Sequence, residues 1–368
     1  MYILEPDGLE RMLGTLREKG YQITGPKIRD GAIVLETIDS AARMPRGVRD
    51  HHGPGRYRLE ETGDGSWFSY TLGPDSWKKF FYPAIRKLWT SKRNGGLLEI
   101  DVEPTQQGRR ALIGVRPCEL ESIAIQDRVL AEGEYADRNY VAGREDNFIV
   151  AVNCTVPGGT CFCASMGTGP RATAGYDVAL TELGGNGRQR FMARAGSRKG
   201  EQLLAKVACG KAAGGDLDLE ERLLEAAAGK MGRTLDTAGL ADVLADATEH
   251  PRWEEVDERC QACTNCTMVC PTCYCHTVED TTDLTGSTAE RTRVWDSCFT
   301  ADHSYLHGGS VRESRAARYR QWLTHKLSSW HDQFGGSGCT GCGRCITWCP
   351  VGIDITEEAQ AVRGTARG

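Results

Sequence analysis

Two cysteine combs near the C-terminal end constrain this chain more than anything else in it. The first is Cys260-x2-Cys263-x2-Cys266-x3-Cys270-Pro271 and the second is Cys339-x2-Cys342-x2-Cys345-x3-Cys349-Pro350. Three thiols spaced two residues apart lie on a loop that curls around one face of whatever they bind, so the fourth must arrive from another direction. The proline after each fourth cysteine has no N–H and a fixed φ, which turns the chain away at that point. A chain with two such loops has to bring eight thiols onto internal centres and spend much of its remaining length shielding them.

The C-x2-C-x2-C-x3-C-P run is the ligand pattern of two-cluster bacterial ferredoxins, in which the fourth cysteine of one run commonly serves the cluster of the other. Two [4Fe–4S] clusters are therefore expected. With that crossover, Cys260, Cys263, Cys266 and Cys349 hold the first, and Cys339, Cys342, Cys345 and Cys270 hold the second; spacing alone leaves the crossover open. The competing reading is a zinc-stabilised binding module. Structural zinc usually takes paired C-x2-4-C knuckles, whereas here three thiols at x2 spacing are followed by Cys-Pro, twice. Disulfides fit poorly, because the spacing is tight and no secretory signal opens the chain.

Composition agrees with a globular redox protein. The 368 residues, 40% hydrophobic and 26% charged, suffice for two or three domains with proper cores. No apolar run approaches membrane-spanning length, and the opening MYILEPDGLE carries acids where a signal peptide carries bases, so a cytoplasmic protein without a membrane anchor is expected. The formal net charge of −5, with no basic run interleaved with aromatics, argues against nucleic acid as a partner. Sixteen cysteines in such a chain point to metal or redox chemistry.

Along the chain the pattern predicts an α/β (α+β) domain over 1–199, a helical connector over 200–252, and a mostly helical ferredoxin-like domain over 253–368 that holds two [4Fe–4S] clusters. Leu9, Met12, Leu13 and Leu16 share one face of a helix over 7–19. The runs YQITG and GAIVLETI read as strands. Trp77, Phe80, Phe81 and Trp89, with Lys78, Lys79, Arg86 and Lys87 between them, read as an aromatic helix face in a core with its lysines in water; a nucleotide or partner surface is the alternative. Connector helices follow in EQLLAKVACG, LEERLLEAAAG and GLADVLADATEH, where Cys209 falls on an apolar face and is expected to be core. The long insert between the combs ends in an amphipathic helix carrying Tyr319, Trp322, Leu323, Lys326, Leu327 and Trp330, with an excess of arginines. Its basic face is expected to be solvated, or else to offset cluster charge.

The first half holds a second cysteine group. Apolar runs at 111–116 and 147–153 flank a helical stretch, a βαβ-like unit whose ligands should lie beyond the carboxyl ends of the strands. Cys118 follows the first strand, Cys154 ends the second, and Cys161 and Cys163 come soon after in a Gly-rich loop. Two readings stand side by side: a third [4Fe–4S] cluster, or four small residues packed in a core. The GTGP stretch lacks the spacing of a dinucleotide loop, and no convincing flavin or NAD(P) site is present. Cys273, Cys275 and Cys298 are expected to line the cluster cavity, and His276, His303 and His307 to be structural.

The run CQACTNCTMVCPTCYCHTVEDTTDLTG, then RTRVWDSC, RYRQWLTHK and CTGCGRCITWCPVGIDI, resembles the β subunit of soluble sulfhydrogenases, cytoplasmic group 3b [NiFe]-hydrogenases linked to NADP(H). It is also similar to the A subunit of anaerobic sulfite reductase. The likeness extends through GPDSWKKFFYP, GVRPCELESIAIQD and NCTVPGGTCFCASMGTGP. It implies a non-catalytic electron-transfer subunit of a hetero-oligomeric oxidoreductase, working with a flavin/NAD(P)-binding subunit and with hydrogenase large and small subunits, or with sulfite reductase subunits. The R-P-C segment at Cys118 and the C-F-C segment at Cys161 and Cys163 also look like cluster motifs of flavin-linked hydrogenase β subunits. This supports the third site.

Overall fold

The computed structural model describes residues 1–105, 108–184, 189–208 and 210–365, so Cys209 lies outside the described residues. A short strand, β1 (Tyr2–Leu4), leads into α1 (Pro6–Glu18), where Leu9, Met12, Leu13 and Leu16 are fully buried as their spacing predicts. There follow β2 (Gln22–Arg29), β3 (Ala32–Thr37), the hairpin β4 (Val48–Gly53) and β5 (Arg56–Glu61), α2 (Lys78–Phe81), and the hairpin β6 (Ile85–Asn94) and β7 (Leu97–Val102). The chain continues through β8 (Arg110–Val115), α3 (Pro117–Leu130), α4 (Arg138–Arg144), β9 (Phe148–Val152), β10 (Val178–Glu182), β11 (Phe191–Ala195), α5 (Arg198–Val207), β12 (Gly210–Lys211) and α6 (Gly214–Gly229). The last third comprises α7 (Leu240–Asp246), α8 (Arg252–Arg259), α9 (Asn265–Met268), the hairpin β13 (His276–Thr282) and β14 (Thr288–Trp295), α10 (Arg315–Thr324), α11 (Trp330–Phe334), α12 (Arg344–Thr347) and α13 (Ile355–Thr365).

The main sheet is mixed, with strand order β12-β1-β11-β10-β9-β8-β2-β3. Its centre is parallel, β2 to β8, β8 to β9 and β9 to β10, and its flanks are antiparallel. The predicted strand–helix–strand unit is β8–α3–β9. Both strands are buried on both faces, which explains their continuous apolar runs. Beyond their carboxyl ends stand Cys118, at the start of α3, and Cys154.

Residues 77–89 differ from expectation. Pro83 disfavours helical geometry at Tyr82, so α2 is a single turn, and the chain re-enters as β6. Lys78 is not in water: it is 3% exposed, with Nζ 3.7 Å from the Trp295 ring centre and donating to the Cys273 carbonyl at 3.0 Å. In a second sheet, β13-β14-β6-β7, strands from the inter-comb insert pair with strands from the first third of the chain.

Two hydrophobic cores result. One fills both faces of the main sheet; the other gathers α7, α8, α10 and α13 around Trp253, Tyr319, Trp322, Leu323 and Ile346. Phe162, from the loop after β9, is fully buried in the second core, so the cysteines on either side of it are carried against the combs. No described helix is long and apolar enough to cross a membrane.

Candidate metal centres

Twelve cysteines line three hollows, and the hollows form a chain. The first is lined by Cys260, Cys263 and Cys266 from the first comb and by Cys349 from the second, with Phe299, Tyr319, Trp322 and Ile353 closing it. The comb curls because Ala262 and Thr264 take the left-handed conformation, φ 50° and 69°. Cys260 Sγ then accepts from the Ala262 amide at 3.4 Å, and Cys349 Sγ accepts from the Ile353 amide at 3.3 Å. Cys263 is exposed.

The second hollow is lined by Cys339, Cys342, Cys345 and Cys270, with Phe162, Thr272, Trp322 and Lys326. Lys326 is 5% exposed and directs its ammonium at Cys270 Sγ, 3.3 Å away, and at Thr272 Oγ1, 3.0 Å away. Burial works against that charge, but the sulfurs of Cys270, Cys273 and Cys339 outweigh it and hold the lysine charged well above its ordinary range. Sequence reasoning placed Lys326 in an apolar stripe; the signal that marks it out is a charge at a position the helical period assigns to the core.

The third hollow is lined by Cys118, Cys154, Cys161 and Cys163, joined by Cys342, Arg116, Arg344 and Met231. The four cysteines of the first half therefore do converge. Cys161 Sγ–H points to the Cys342 carbonyl at 3.8 Å, and Cys163 Sγ lies 3.6 Å from Met231 Sδ. The second comb packs directly on this loop. The Phe162 amide donates to the Gly341 carbonyl at 2.8 Å, and a Cβ on Gly341, whose φ is +66°, would stand 2.7 Å from the Cys163 Cα. Two cations border the hollow. Arg116 is buried and donates to the Phe68 carbonyl at 2.8 Å and to Cys154; Arg344 is buried against Glu119, whose other oxygen accepts from the Trp77 amide at 2.9 Å. Removing one partner from such a buried pair costs about 3–5 kcal/mol, so Arg344 is firmly held beside Cys342.

Neighbouring hollows share walls: Cys345 and Trp322 line both the first and second, and Cys342 lines both the second and third. Burial pushes most of these thiols up, Cys161 and Cys339 to about 12, so they ionise only when something cationic draws the thiolate out. Among the described residues, no three or more His, Cys, Asp or Glu gather closely enough to hold a single ion. The donor set fits a polynuclear iron–sulfur core, whose irons each take one thiolate from a different wall. Cys273, expected in a cavity lining, instead stands against Cys270; Cys275 and Cys298 stand together outside the linings of these hollows.

The model of the 4Fe-4S dicluster domain matches residues 259–353, a span that contains both combs. Sulfhydrogenase 2 subunit beta of Pyrococcus furiosus is 33% identical over 321 residues, covering 85% of this chain and 92% of the relative. The chain belongs to the sulfhydrogenase beta-subunit family. The similarity covers 321 residues and so runs far beyond the dicluster segment. No solved structure matches the chain.

Proposed function

We propose that this chain is the iron–sulfur electron-transfer subunit of a soluble hydrogenase. In this reading Cys260, Cys263, Cys266 and Cys349 hold one [4Fe–4S] cluster, Cys270, Cys339, Cys342 and Cys345 a second, and Cys118, Cys154, Cys161 and Cys163 a third. Its partners are a flavin/NAD(P)-binding subunit and the large and small subunits of a NADP-linked [NiFe]-hydrogenase. Residues 1–199, 200–252 and 253–368 serve as the cysteine-bearing α/β domain, the connector and the dicluster domain. One observation carries this: twelve cysteines line three hollows that touch in sequence through Cys342 and Cys345. Electrons would enter or leave near the exposed Cys263. The clusters supply one-electron redox chemistry, while the chain sets their spacing, excludes water with Trp322 and Phe162, and places Lys326, Arg116 and Arg344 beside the thiolates.

Anaerobic purification of the chain with its clusters tests the reading. Iron and acid-labile sulfide of about twelve each are expected. A Cys118→Ala/Cys154→Ala double variant should lose about four of each and keep the signals of the other two clusters. Unchanged iron in that variant would return the four cysteines of the first half to the packed core, and zinc without sulfide would overturn the scheme.

A further inference from the structure

One buried polar atom in the wall of the third hollow is left without a partner. His52, from β4, lines that hollow with Cys118, Cys154, Cys161 and Cys163. Its side chain is 4% exposed, and its Nε2 has no hydrogen-bond partner among the described residues. The other ring nitrogen is committed: Nδ1 lies 2.9 Å from Oδ2 of Asp50, a side chain as deeply buried. Asp50 also accepts from the Thr71 amide and the Thr71 hydroxyl, each at 2.7 Å. The ring lies close against the cysteine-bearing loop because that loop has no side chain where the two meet. A Cβ on Gly158 would stand 2.0 Å from Nε2, and one on Gly159 would stand 2.2 Å from the His52 carbonyl oxygen. The Gly158 carbonyl in turn accepts from the Cys161 amide at 3.2 Å. Gly158 and Cys161 are thus the two ends of one turn, and Nε2 sits where the loop delivers its cysteines.

The hydrogens on the ring follow from its partners. Burial pushes the Asp50 carboxyl up, but the bonds from His52 and Thr71 outweigh it and hold it below its ordinary range, so Asp50 is a carboxylate that accepts and does not donate. The hydrogen between Asp50 and Nδ1 therefore belongs to the ring. What Nε2 needs is set by what fills the hollow. Four thiols supply one ligand to each iron of a [4Fe–4S] core, so a fifth donor atom has no iron left to bind. The surface that such a core turns to Nε2 is sulfur, which accepts hydrogen bonds and offers none. A nitrogen facing sulfur without a hydrogen would stay unpaired, and unpaired buried polar groups are rare because they are costly. With a hydrogen on each nitrogen, the ring is satisfied on both sides. The two guanidinium groups of the same wall are held by other partners: Arg344 is bonded to Glu119, and Arg116 to the Phe68 and Tyr70 carbonyls.

We propose that His52 donates an Nε2–H hydrogen bond to a sulfur of the third centre, with Asp50 positioning the ring, and that this bond raises the centre's reduction potential. The inference rests on the cluster reading above. Reduction adds an electron to a core that is already negative, and a donor aimed at its sulfur stabilises the reduced state more than the oxidised one. The ring is the counterpart, in the third hollow, of the ammonium that Lys326 directs at Cys270 in the second. The two differ in how they are held. Lys326 is aimed by the helix that carries it, whereas His52 is aimed by a carboxylate behind it and a glycine in front.

The test uses the chain purified anaerobically with its clusters, and the signals of the third centre are those that the Cys118→Ala/Cys154→Ala variant lacks. His52→Leu should keep iron at about twelve and make the third centre about tenfold harder to reduce, a downward shift of about 60 mV for one electron, with the other two centres unmoved. His52→Gln, which retains an N–H near the place of Nε2, should recover part of that shift. Pulsed electron paramagnetic resonance of the reduced protein carrying 15N-labelled histidine should show a weak nitrogen coupling at the third centre, lost in His52→Leu. Should His52→Leu fold poorly, the potential of His52→Gln and the nitrogen coupling of the wild type still decide. An unmoved third potential in His52→Leu, or equal shifts at all three centres, overturns the proposal. So does a strong nitrogen coupling, or the loss of about four irons in both variants, either of which would make His52 a ligand. A wild type holding about eight irons, with no signal of a third centre, would overturn the cluster reading and this proposal with it, whereas about twelve irons with an unmoved potential would overturn the proposal alone.

Discussion

The two combs share one ligand pattern and sit in different surroundings. Among the described residues, the lining of the first hollow has no charged side chain: aromatic rings, Ile353 and backbone close it, and one of its cysteines is exposed. The second has no fully exposed cysteine in its lining and has a buried ammonium aimed at one of its sulfurs. Spacing decides how thiols curl around a core; the residues packed on the curl decide how readily that core accepts negative charge. Identical motifs therefore need not be redundant. With clusters held as proposed, the buried lysine would make the second centre the better electron acceptor of the two, and the exposed cysteine would make the first the contact with a partner.

The largest expected effect comes from breaking the assignment of ligands to hollows. Cys349 belongs by sequence to the second comb and by position to the first hollow. Cys349→Ser should therefore remove about four irons from the first centre and leave the signal of the Lys326-linked centre intact. Electron paramagnetic resonance of the reduced protein, with iron analysis, reads this directly. If the second centre bleaches instead, each comb serves itself.

A smaller effect sharpens the contrast in charge. Lys326→Met keeps an unbranched stem in the lining of the hollow but deletes the donor to Cys270. A hydrogen bond to a charged group contributes about 1.5–3 kcal/mol, and about 1.4 kcal/mol corresponds to 59 mV for one electron, so the second centre should fall by roughly 60–120 mV. The first should hardly move. Redox titration of both centres in one sample measures the difference, and equal shifts would show that Lys326 acts on both alike.

How much of this was legible in the sequence depends on how local each cause is. The comb hollows were legible because three of the four cysteines that line each belong to one loop, and the βαβ unit because β8 and β9 are apolar on both faces. Cys118, Cys154, Cys161 and Cys163 were legible as strand-end residues, but only their packing beneath Gly341 shows that they share a wall with Cys342. The hairpin β13–β14 went unread because all seven residues of β13 are exposed, leaving no buried face to impose alternation. Lys326 and Lys78 went unread because a lysine inside an aromatic stripe ordinarily carries its charge to water, whereas here Lys326 is aimed at the Cys270 sulfur and Lys78 at the Cys273 carbonyl and the Trp295 ring, all far away in sequence. His303 was set aside for lack of a second histidine, whereas its partner is Asp296.

The smallest effect separates charge from hydrogen bonding in the second hollow. Thr272 Oγ1 lies 3.2 Å from Cys270 Sγ and receives a bond from Lys326, but its own proton is also directed at the Gly338 carbonyl, 2.8 Å away. One proton facing two acceptors gives the sulfur at most a fraction of a neutral hydrogen bond. If that fraction is about half of 1 kcal/mol, Thr272→Val should lower the second centre by only about 20 mV, while the orphaned Gly338 carbonyl costs about 1–3 kcal/mol of stability. Redox titration and denaturant unfolding of the same variant separate the two. A shift as large as that of Lys326→Met would mean that the hydroxyl, and not the ammonium, distinguishes the second comb from the first.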